Sequence, residues 1–273
     1  MIFDTHIHTH SMEETDTAFF SEQMRLAGVS GGALLSYLPN SLIYDGIYYT
    51  PQQKLDKLLK TTSAVRDIYP FYFIDPTESD AADQVALAIE YGVSGFKVIC
   101  NHFFPGDERA MRTYTAIAKT GKPVLFHSGI LYDAFDSSNY NRPAGFEALF
   151  DIEGLRFAMA HISWPWCDEM IALFGKYRYA HRRNNDVELF VDVTPGTPGF
   201  YREEALTKLI KLTEFRFTEN MIFGVDNNDK YSSEYAINII NTDKAIYDKL
   251  GVPENEREKI FQTNFMRFLG FTE

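Results

Sequence analysis

The sequence is short of cysteine and of long apolar runs, and each shortage excludes a class of protein. Two cysteines among 273 residues, Cys100 and Cys167, cannot build a disulfide scaffold or a zinc site of four thiolates. No uninterrupted apolar run reaches the roughly 18 residues of a membrane-spanning helix. The opening residues, MIFDTHIHTH, lack the basic and apolar segments of a signal peptide. We therefore expect a soluble protein of a reducing compartment, the cytoplasm.

Basic side chains are too few to balance the acidic ones. The chain has 26 lysines and arginines against 38 aspartates and glutamates, a formal net charge of −12 at pH 7. Because such a chain repels polyphosphate, binding to nucleic acid or to an anionic membrane is disfavoured. A small-molecule substrate is the expected partner, and a homo-oligomer stays open. Hydrophobic residues at 45% and charged residues at 23% exclude a disordered or fibrous chain.

Eight short apolar or β-branched runs predict strands at 2–8, 32–38, 69–75, 94–100, 123–128, 155–161, 188–193 and 221–226. Helical signals lie between them, including segments that begin at Asp80 and Asp107, a longer one at 232–250 and a last one at 254–269. Such alternation implies parallel strands, and eight repeats close an α/β (β/α)8 TIM barrel, here a single domain over residues 1–273. An open, doubly wound sheet would carry a glycine-rich turn where this chain has HIHTHSM.

Five polar side chains suited to metal binding fall where predicted strands end. His6 and His8 close the first strand, His127 the fifth, His161 the sixth and Asp226 the eighth. His6 and His8 share one strand face about 7 Å apart, so both can reach one ion. A lone histidine at a strand end is more often a hydrogen-bonded packing residue. Five such groups at the catalytic rim of one barrel nevertheless predict a metal site.

Strand alternation also predicts which neighbours of these residues face the barrel interior. The residues expected to point inward are Ile2, Asp4, Leu125, Phe157, Met159, Ile222 and Gly224. Phe3, Thr5 and Ile7 are expected to face the surrounding helices.

Several motifs, in their order along the chain, resemble the signature of the amidohydrolase superfamily. They are DTHIH at 4–8, GFKV at 95–98, LFHSG at 125–129, MAH at 159–161, FGVD at 223–226 and KIFQTNFMRFLG at 259–270. The similar branch is the amidohydrolase-related one that includes aminocarboxymuconate-semialdehyde decarboxylase. The resemblance implies a (β/α)8 barrel with a divalent metal, usually zinc. It implies His6, His8, His127 and Asp226 as ligands and His161 as a catalytic group at the rim.

Lys97 bears on the number of metal ions. In binuclear relatives, a fourth-strand lysine is carboxylated and bridges two metals. In the mononuclear branch, a short aliphatic–histidine–proline run follows the lysine, whereas residues 97–102 here read KVICNH. We predict one divalent ion, Zn²⁺ before Mn²⁺ or Fe²⁺, with Lys97 uncarboxylated and its stem packed inside the barrel. A binuclear site with carboxylated Lys97 is the alternative.

Four side chains in the predicted rim loops are candidates for substrate binding: His102, Arg142, Tyr140 and Trp164. Arg142 could grip a substrate carboxylate through two hydrogen bonds, and an aromatic wall would suit a planar or apolar substrate. A solvated surface arginine and ordinary aromatic packing are the competing interpretations. His181, in the segment HRRNN, is predicted to lie far from the rim.

The expected chemistry is hydrolysis of an amide, lactone or ester. A zinc site with an open position lowers the pKa of bound water toward about 7. Asp226 would accept the water proton, His161 would stabilise the oxyanion or protonate the leaving group, and Asp4 would orient an imidazole.

Other functions compete with hydrolysis. The first alternative is non-oxidative decarboxylation of an aromatic or unsaturated carboxylic acid by the same site, and the second is a non-catalytic ligand-binding barrel. A metal-dependent nuclease of the TatD type is disfavoured by the negative charge. That type also has a glutamate where this chain offers Lys97 and Cys100.

Overall fold

The strands run parallel and follow one another around the sheet in chain order. The computed structural model describes residues 1–180 and 186–271. The strands are β1 (Phe3–His8), β2 (Gly31–Leu35), β3 (Ile68–Phe73), β4 (Gly95–Val98), β5 (Val124–Phe126), β6 (Arg156–Met159), β7 (Glu188–Asp192), β8 (Met221–Ile222) and β9 (Asn227–Asn228). Each of the eight predicted runs overlaps a strand, although β2 and β3 begin one residue earlier than predicted.

Helices fill most of the connections between strands. They are α1 (Thr17–Leu26), α2 (Pro51–Ala64), α3 (Ala81–Glu90), α4 (Glu108–Lys119), α5 (Cys167–Ala180), α6 (Gly199–Lys211), α7 (Ser233–Leu250), α8 (Glu254–Glu258) and α9 (Asn264–Leu269). After β5, a 3-10 helix at Pro143–Asp151 takes the place of an α-helix. The predicted segment 254–269 is helical but contains a π turn at Lys259–Thr263. Within the described residues, none of the helices is long and apolar enough to cross a membrane.

The eighth strand is split, and its two pieces close the barrel. β8 pairs with β7, whereas β9 pairs with β1 through Ile7–Asn227 and His8–Asn228. Between the pieces, the Thr5 N–H donates to the Phe223 carbonyl at 3.0 Å. The sheet therefore has no free edge, and the predicted (β/α)8 barrel is confirmed.

Two apolar clusters separate the interior of the barrel from its helical coat. The inner cluster joins alternate strand residues to α9, through Phe3, Ala33, Leu35, Phe71, Leu125, Ala158, Ala160, Phe190, Ile222, Phe265, Phe268 and Leu269. Phe265 packs on Phe3 and Phe268 on Phe71, so α9 plugs the end at which the strands begin. The opposite end, where the strands stop, stays open for a site.

The prediction of which side chains point into the barrel and which point toward the helices is only partly correct. Leu125, Ile222 and Ile7 face as expected, but Phe3 lies in the inner cluster and Ile2 packs against the outer one. The cause is a register shift of β1 against β2 between Asp4 and Ile7, which breaks strict alternation. In β6 the prediction was also wrong: Ala158 and Ala160 face inward, while Phe157 and Met159 face the helices.

Candidate metal centre

His6, His8 and Asp226 bring three potential ligand atoms together at the open end of the barrel. One ligand atom from each residue lies within 4.8 Å of the other two. Asp226 Oδ1 is 3.3 Å from His8 Nε2 and 3.8 Å from His6 Nε2. Two imidazoles and one carboxylate form a ligand set known for catalytic zinc, and the same set suits iron.

Backbone geometry in the split eighth strand places Asp226 beside the two histidines. Asp226 has a φ of +63°, in the left-handed region, where the extended chain turns between β8 and β9. Gly224 lets this strand approach β1, because a Cβ at that position would lie 3.1 Å from His6 Cβ and would clash with Thr194 Oγ1. The ligand set therefore depends on a close contact that only glycine allows.

The sequence prediction missed Asp192, the last residue of β7. Its buried Oδ2 accepts a hydrogen bond from His6 Nδ1 at 2.8 Å, and its Oδ1 accepts from the Thr194 N–H at 2.8 Å. A carboxylate that accepts at Nδ1 fixes the proton there and leaves the lone pair of the neutral ring on Nε2, toward Asp226. Strand alternation could have found this residue, because Asp192 lies two positions after the inward Phe190.

Asp4 was predicted to orient an imidazole, but its carboxylate bonds other groups. Asp4 Oδ1 accepts from the backbone N–H groups of His6 at 3.1 Å and Val225 at 2.8 Å, and Oδ2 accepts from the Tyr231 hydroxyl at 2.9 Å. The register shift in β1 turns this carboxylate toward the backbone of the eighth strand rather than toward an imidazole. Asp4 thus ties together the two strands that carry the ligands, and the imidazole of His6 is held by Asp192.

Lys97 lies inside the barrel with its amine at the centre of the site. The side chain is buried, and Nζ lies 3.3 Å from His6 Nε2. Burial lowers the pKa of Lys97 to about 8, because the interior disfavours an ammonium ion. The amine and a metal cation would compete for the same lone pair of His6.

His127 lies outside the group formed by His6, His8 and Asp226. Its Nε2 is 3.2 Å from the Ile130 carbonyl oxygen, to which it donates. That carbonyl is held in place because the Ile130 N–H donates to the Trp164 carbonyl at 2.8 Å. This hydrogen bond fixes the proton of the neutral ring on Nε2 and leaves the lone pair on Nδ1, so the fourth ligand implied by the family resemblance would bind an ion through Nδ1.

His161 occupies the space between His6 and His127. Its ring centroid is 5.2 Å from that of His6 and 4.9 Å from that of His127. The three residues 161–163 all have a left-handed φ, between +50° and +63°, which turns the chain sharply after β6. Nδ1 donates to the Pro195 carbonyl at 3.1 Å, and Gly196 leaves no room for a Cβ beside the ring. The neutral ring therefore presents an unprotonated Nε2.

The electrostatics of the site favour binding of a divalent cation. Burial lowers the pKa of His6, His127 and His161, so these rings are neutral at pH 7. Asp226 lies in the concave mouth with 33% of its side chain exposed. Burial acts to raise the pKa of Asp226, but the hydrogen bond from His8 and the electrostatic influence of the His6 and His161 rings outweigh this and lower it. Neutral imidazoles beside an ionised carboxylate are the protonation states that metal binding requires.

A family model described as amidohydrolase matches residues 56–271 of the chain. The chain belongs to this amidohydrolase family. The predicted superfamily is thereby confirmed, and the protein is an enzyme of amidohydrolase type, a hydrolase or carboxy-lyase, in a family that is generally metal dependent. The match begins after β1, so the assignment of His6 and His8 rests on their geometry.

Solved structures of amidohydrolase relatives share the fold at low sequence identity. The probable 2-pyrone-4,6-dicarboxylic acid hydrolase of Acinetobacter baumannii gives a TM-score of 0.64 at 14% identity, over 99% of both chains. A 2,6-dihydroxybenzoate decarboxylase gives 0.62 at 11% identity, over 99% of this chain and 98% of that one. Dihydroorotase from Campylobacter jejuni gives 0.61 at 16% identity, over 100% and 84%. No curated protein matches the sequence.

Two of the predicted substrate-binding residues of this amidohydrolase are engaged with other side chains. Arg142 pairs with Glu169 at 2.6 Å and lies over the Trp166 ring at 5.1 Å. The predicted contact with a substrate carboxylate would therefore require this exposed ion pair to open. Tyr140 packs edge-on against Phe104, with centroids 4.7 Å apart.

The other predicted rim residues have different surroundings. Trp164 lines a surface cleft with Tyr201, away from the metal group. His102 stays at the rim, where Nδ1 is 2.7 Å from Asn101 Oδ1 and Nε2 is 3.5 Å from Asp75 Oδ2. His102 therefore remains a candidate for contact with substrate. His181 lies outside the described residues.

Proposed function

We propose that this amidohydrolase hydrolyses an ester, lactone or amide with the help of one divalent metal ion. The observation that carries the proposal is the group of His6, His8 and Asp226, with ligand atoms within 4.8 Å of one another. Further support comes from the carboxylate of Asp192, which fixes the tautomer of His6.

His6, His8 and Asp226 would hold the ion, for which we propose zinc, with manganese and iron as outcomes of metal analysis. His127 would become a fourth ligand through Nδ1, while its Nε2 proton stays on the Ile130 carbonyl. We propose a single ion and an uncarboxylated Lys97, because the unmodified side chain already places its Nζ 3.3 Å from His6 Nε2. Once bound, the ion would polarise the substrate carbonyl and lower the pKa of a water molecule.

Two side chains of the site are placed to move protons. Asp226, ionised beside the histidines, accepts the proton of the attacking water. His161 has its Nδ1 proton engaged by Pro195, so its free Nε2 would take from Asp226 the proton that came from water and then donate it to the leaving group, which returns both side chains to their starting states. This order differs from the oxyanion contact expected from sequence, because a neutral ring of this tautomer has no second N–H to offer.

The test combines metal analysis with turnover on metal-replete protein. We expect one equivalent of metal per chain in the wild type and none after dialysis of a variant carrying His6→Ala and His8→Ala. Asp226→Asn should lower kcat/KM by about 10²–10⁴-fold on whichever ester, lactone or amide the wild type cleaves best. Asp83→Asn, an exposed aspartate on α3, is the matched control. Full activity in Asp226→Asn, or metal retained by the double variant, would refute the assignment.

The substrate panel should include aromatic carboxylic acids. Release of carbon dioxide without hydrolysis of any panel member would replace the proposed hydrolase with the decarboxylase. We propose a small-molecule substrate and a cytoplasmic location, the latter supported by two free, buried cysteines, Cys100 and Cys167.

A further inference from the structure

The loops around the open end of the barrel carry most of the net negative charge of the chain. These loops are residues 9–16, 36–50, 74–80, 99–107, 127–142, 160–166, 193–198 and 223–232. They contain twelve of the 38 acidic residues but only two of the 26 basic ones, Arg142 and Lys230. Their net charge is therefore −10 of the total of −12, and the remainder of the chain is nearly balanced.

Several of the loop carboxylates are neutralised by neighbours and are structural. Lys60 pairs with Glu14 at 2.6 Å, Arg109 with Asp107 at 2.8 Å and Lys57 with Asp229 at 3.7 Å. By contrast, Asp45 and Asp133 take part in no ion pair among the described residues. Asp45 lies in the loop after β2 and Asp133 in the loop after β5, and both are among the loop carboxylates that no lysine or arginine of the described chain neutralises.

The same two loops meet through aromatic side chains. The ring of Tyr44 stacks on that of Phe135, with centroids 5.4 Å apart and planes 17° apart, although each side chain is 62% exposed. Tyr37 and Tyr49 form a second, edge-on pair at 5.6 Å. The pKa of Tyr44 is raised by burial and then by the charge of Asp133, and the pKa of Tyr37 by burial and then by Asp45. Each carboxylate thus lies close enough to act on an aromatic ring.

Contacts of the loop after β4 connect this aromatic and acidic patch, Tyr37, Tyr44, Asp45, Tyr49, Asp133 and Phe135, to the strands beneath. The Asn101 amide donates to the Ser41 carbonyl at 3.5 Å, and the Asn141 amide donates to the Cys100 carbonyl at 2.8 Å. Cys100 lies three residues after Lys97, which reaches His6 at the centre of the site. The patch and the metal group thus lie on loops and strand ends of the same open face of the barrel, joined through the loop after β4.

Aromatic faces attract cations, and uncompensated carboxylates beside them add to that attraction. A substrate with several carboxylates would be repelled by the same groups. Of the two basic side chains in the loops, Arg142 is engaged by Glu169 and Lys230 is exposed at the surface. The negative charge of the loops therefore repels anionic ligands as they approach the open end of the barrel.

We propose that the substrate is a carbonyl compound with a positively charged ammonium group, which docks against the patch while the carbonyl reaches the metal ligands. The identity of the reaction rests on the proposed function, whereas the charge preference rests on the patch alone.

The test uses three p-nitrophenyl esters whose tails have equal length and end in trimethylammonium, tert-butyl or carboxylate. We expect kcat/KM to fall in that order, with a difference between the cationic and anionic esters of at least about tenfold at low salt. Because the patch is open to solvent, this ratio should shrink as ionic strength rises. An anionic ester cleaved as well as the cationic one at low salt would overturn the proposal. Equal rates for the trimethylammonium and tert-butyl esters would also overturn it.

Binding of the corresponding unreactive p-nitrophenyl ethers, followed by calorimetry, separates charge preference from chemistry. Preference for the cationic ether without cleavage of any ester would refute the proposed hydrolase and leave the charge preference standing. Cleavage of esters without a charge preference would refute the charge preference and leave the proposed hydrolase standing.

Matched variants locate the effect in the two loops. Asp45→Asn and Asp133→Asn should each lower the cationic-to-anionic ratio by roughly tenfold, because one charge about 6 Å away in water changes the two rates by about threefold each, in opposite directions. Glu90→Gln removes the same charge from the exposed end of α3, near the opposite face of the barrel, and should leave the ratio unchanged. Equal effects of all three variants would assign the preference to net charge and overturn the role of the patch.

Discussion

Replacement of Gly196 by alanine should impair catalysis without removing the metal. A Cβ at position 196 would lie 2.6 Å from His161 Cβ, 2.7 Å from Cγ and 2.9 Å from Nδ1. Ordinary contacts between carbon atoms are about 3.5–4.0 Å, so the ring or the loop must move by roughly 1 Å. The same movement would strain the bond of 3.1 Å from Nδ1 to the Pro195 carbonyl, which sets the tautomer.

The magnitudes follow from that displacement. A misplacement of about 1 Å in a catalytic group costs on the order of 10²-fold in rate, and an overpacked site loses about 1–3 kcal/mol of unfolding free energy. We therefore expect kcat/KM to fall about a hundredfold, the melting temperature to fall by several degrees and the metal content to stay at the wild-type value. The last expectation holds because His161 is not among the three residues of the metal group.

Gly199→Ala is the matched control, because a Cβ at that position meets none of the described residues within 4 Å. It should keep wild-type activity and gain slightly in stability, since alanine restricts the unfolded chain. Steady-state kinetics, metal analysis and thermal unfolding of both variants provide the assay. Wild-type kcat/KM in folded Gly196→Ala would show that the position of His161 does not matter for the reaction. Loss of metal in that variant would show that His161 is a ligand.

Three further predictions follow from the buried charges and the rim. Asp192→Asn should weaken zinc affinity by about 10–100-fold in chelator competition, because His6 loses its orienting carboxylate; unchanged affinity would contradict that role. Since burial lowers the pKa of Lys97 from 10.5 to about 8, the unfolded chain binds the extra proton between these values and stability rises with pH there. Lys97→Met should therefore stabilise the metal-free protein in urea by about 3 kcal/mol at pH 7 and by little near pH 10.5; loss of metal binding would instead indicate a bridging lysine. Arg142→Gln should leave kcat/KM within about twofold, because the exposed guanidinium is engaged by Glu169, and a loss beyond tenfold would restore its predicted contact with substrate.

The order of the strands was predictable because it depends on a pattern repeated along the chain. Each apolar run is long enough to identify a buried strand, and the parallel arrangement follows from the helices between the runs. Asp107 and Ser232 cap their helices as such residues do, accepting from the N–H groups of Arg109 and Tyr235. The split of the eighth strand was not predictable, since the run at 221–226 gives no sign of where pairing stops.

The part of the site that could be predicted from the sequence is the set of residues that lie at strand ends. His6, His8 and Asp226 end two strands that become neighbours when the barrel closes, so their meeting follows from the topology. The tautomer of His6 depends on Asp192, 186 residues away in sequence, and the orientation of His127 depends on a loop carbonyl. Such contacts are set by side-chain rotamers and loop turns, for which the sequence has no periodic signal.

Departures from regular strand geometry, more than the strands themselves, aim the reactive side chains. Continued alternation along β6 would send His161 toward the helices, on the side of Met159. Instead, the left-handed turn at residues 161–163 swings the imidazole inward against His6. Asp226 is also left-handed, and non-glycine residues in this region cost on the order of 1–3 kcal/mol each. Packing must offset that cost, and the bonds of Ser128 to the Ala160 carbonyl at 2.8 Å and to the Ser163 hydroxyl at 2.7 Å hold the turn in place. The two side chains assigned to proton transfer are thus the two that a regular barrel strand would have misplaced or left unconstrained.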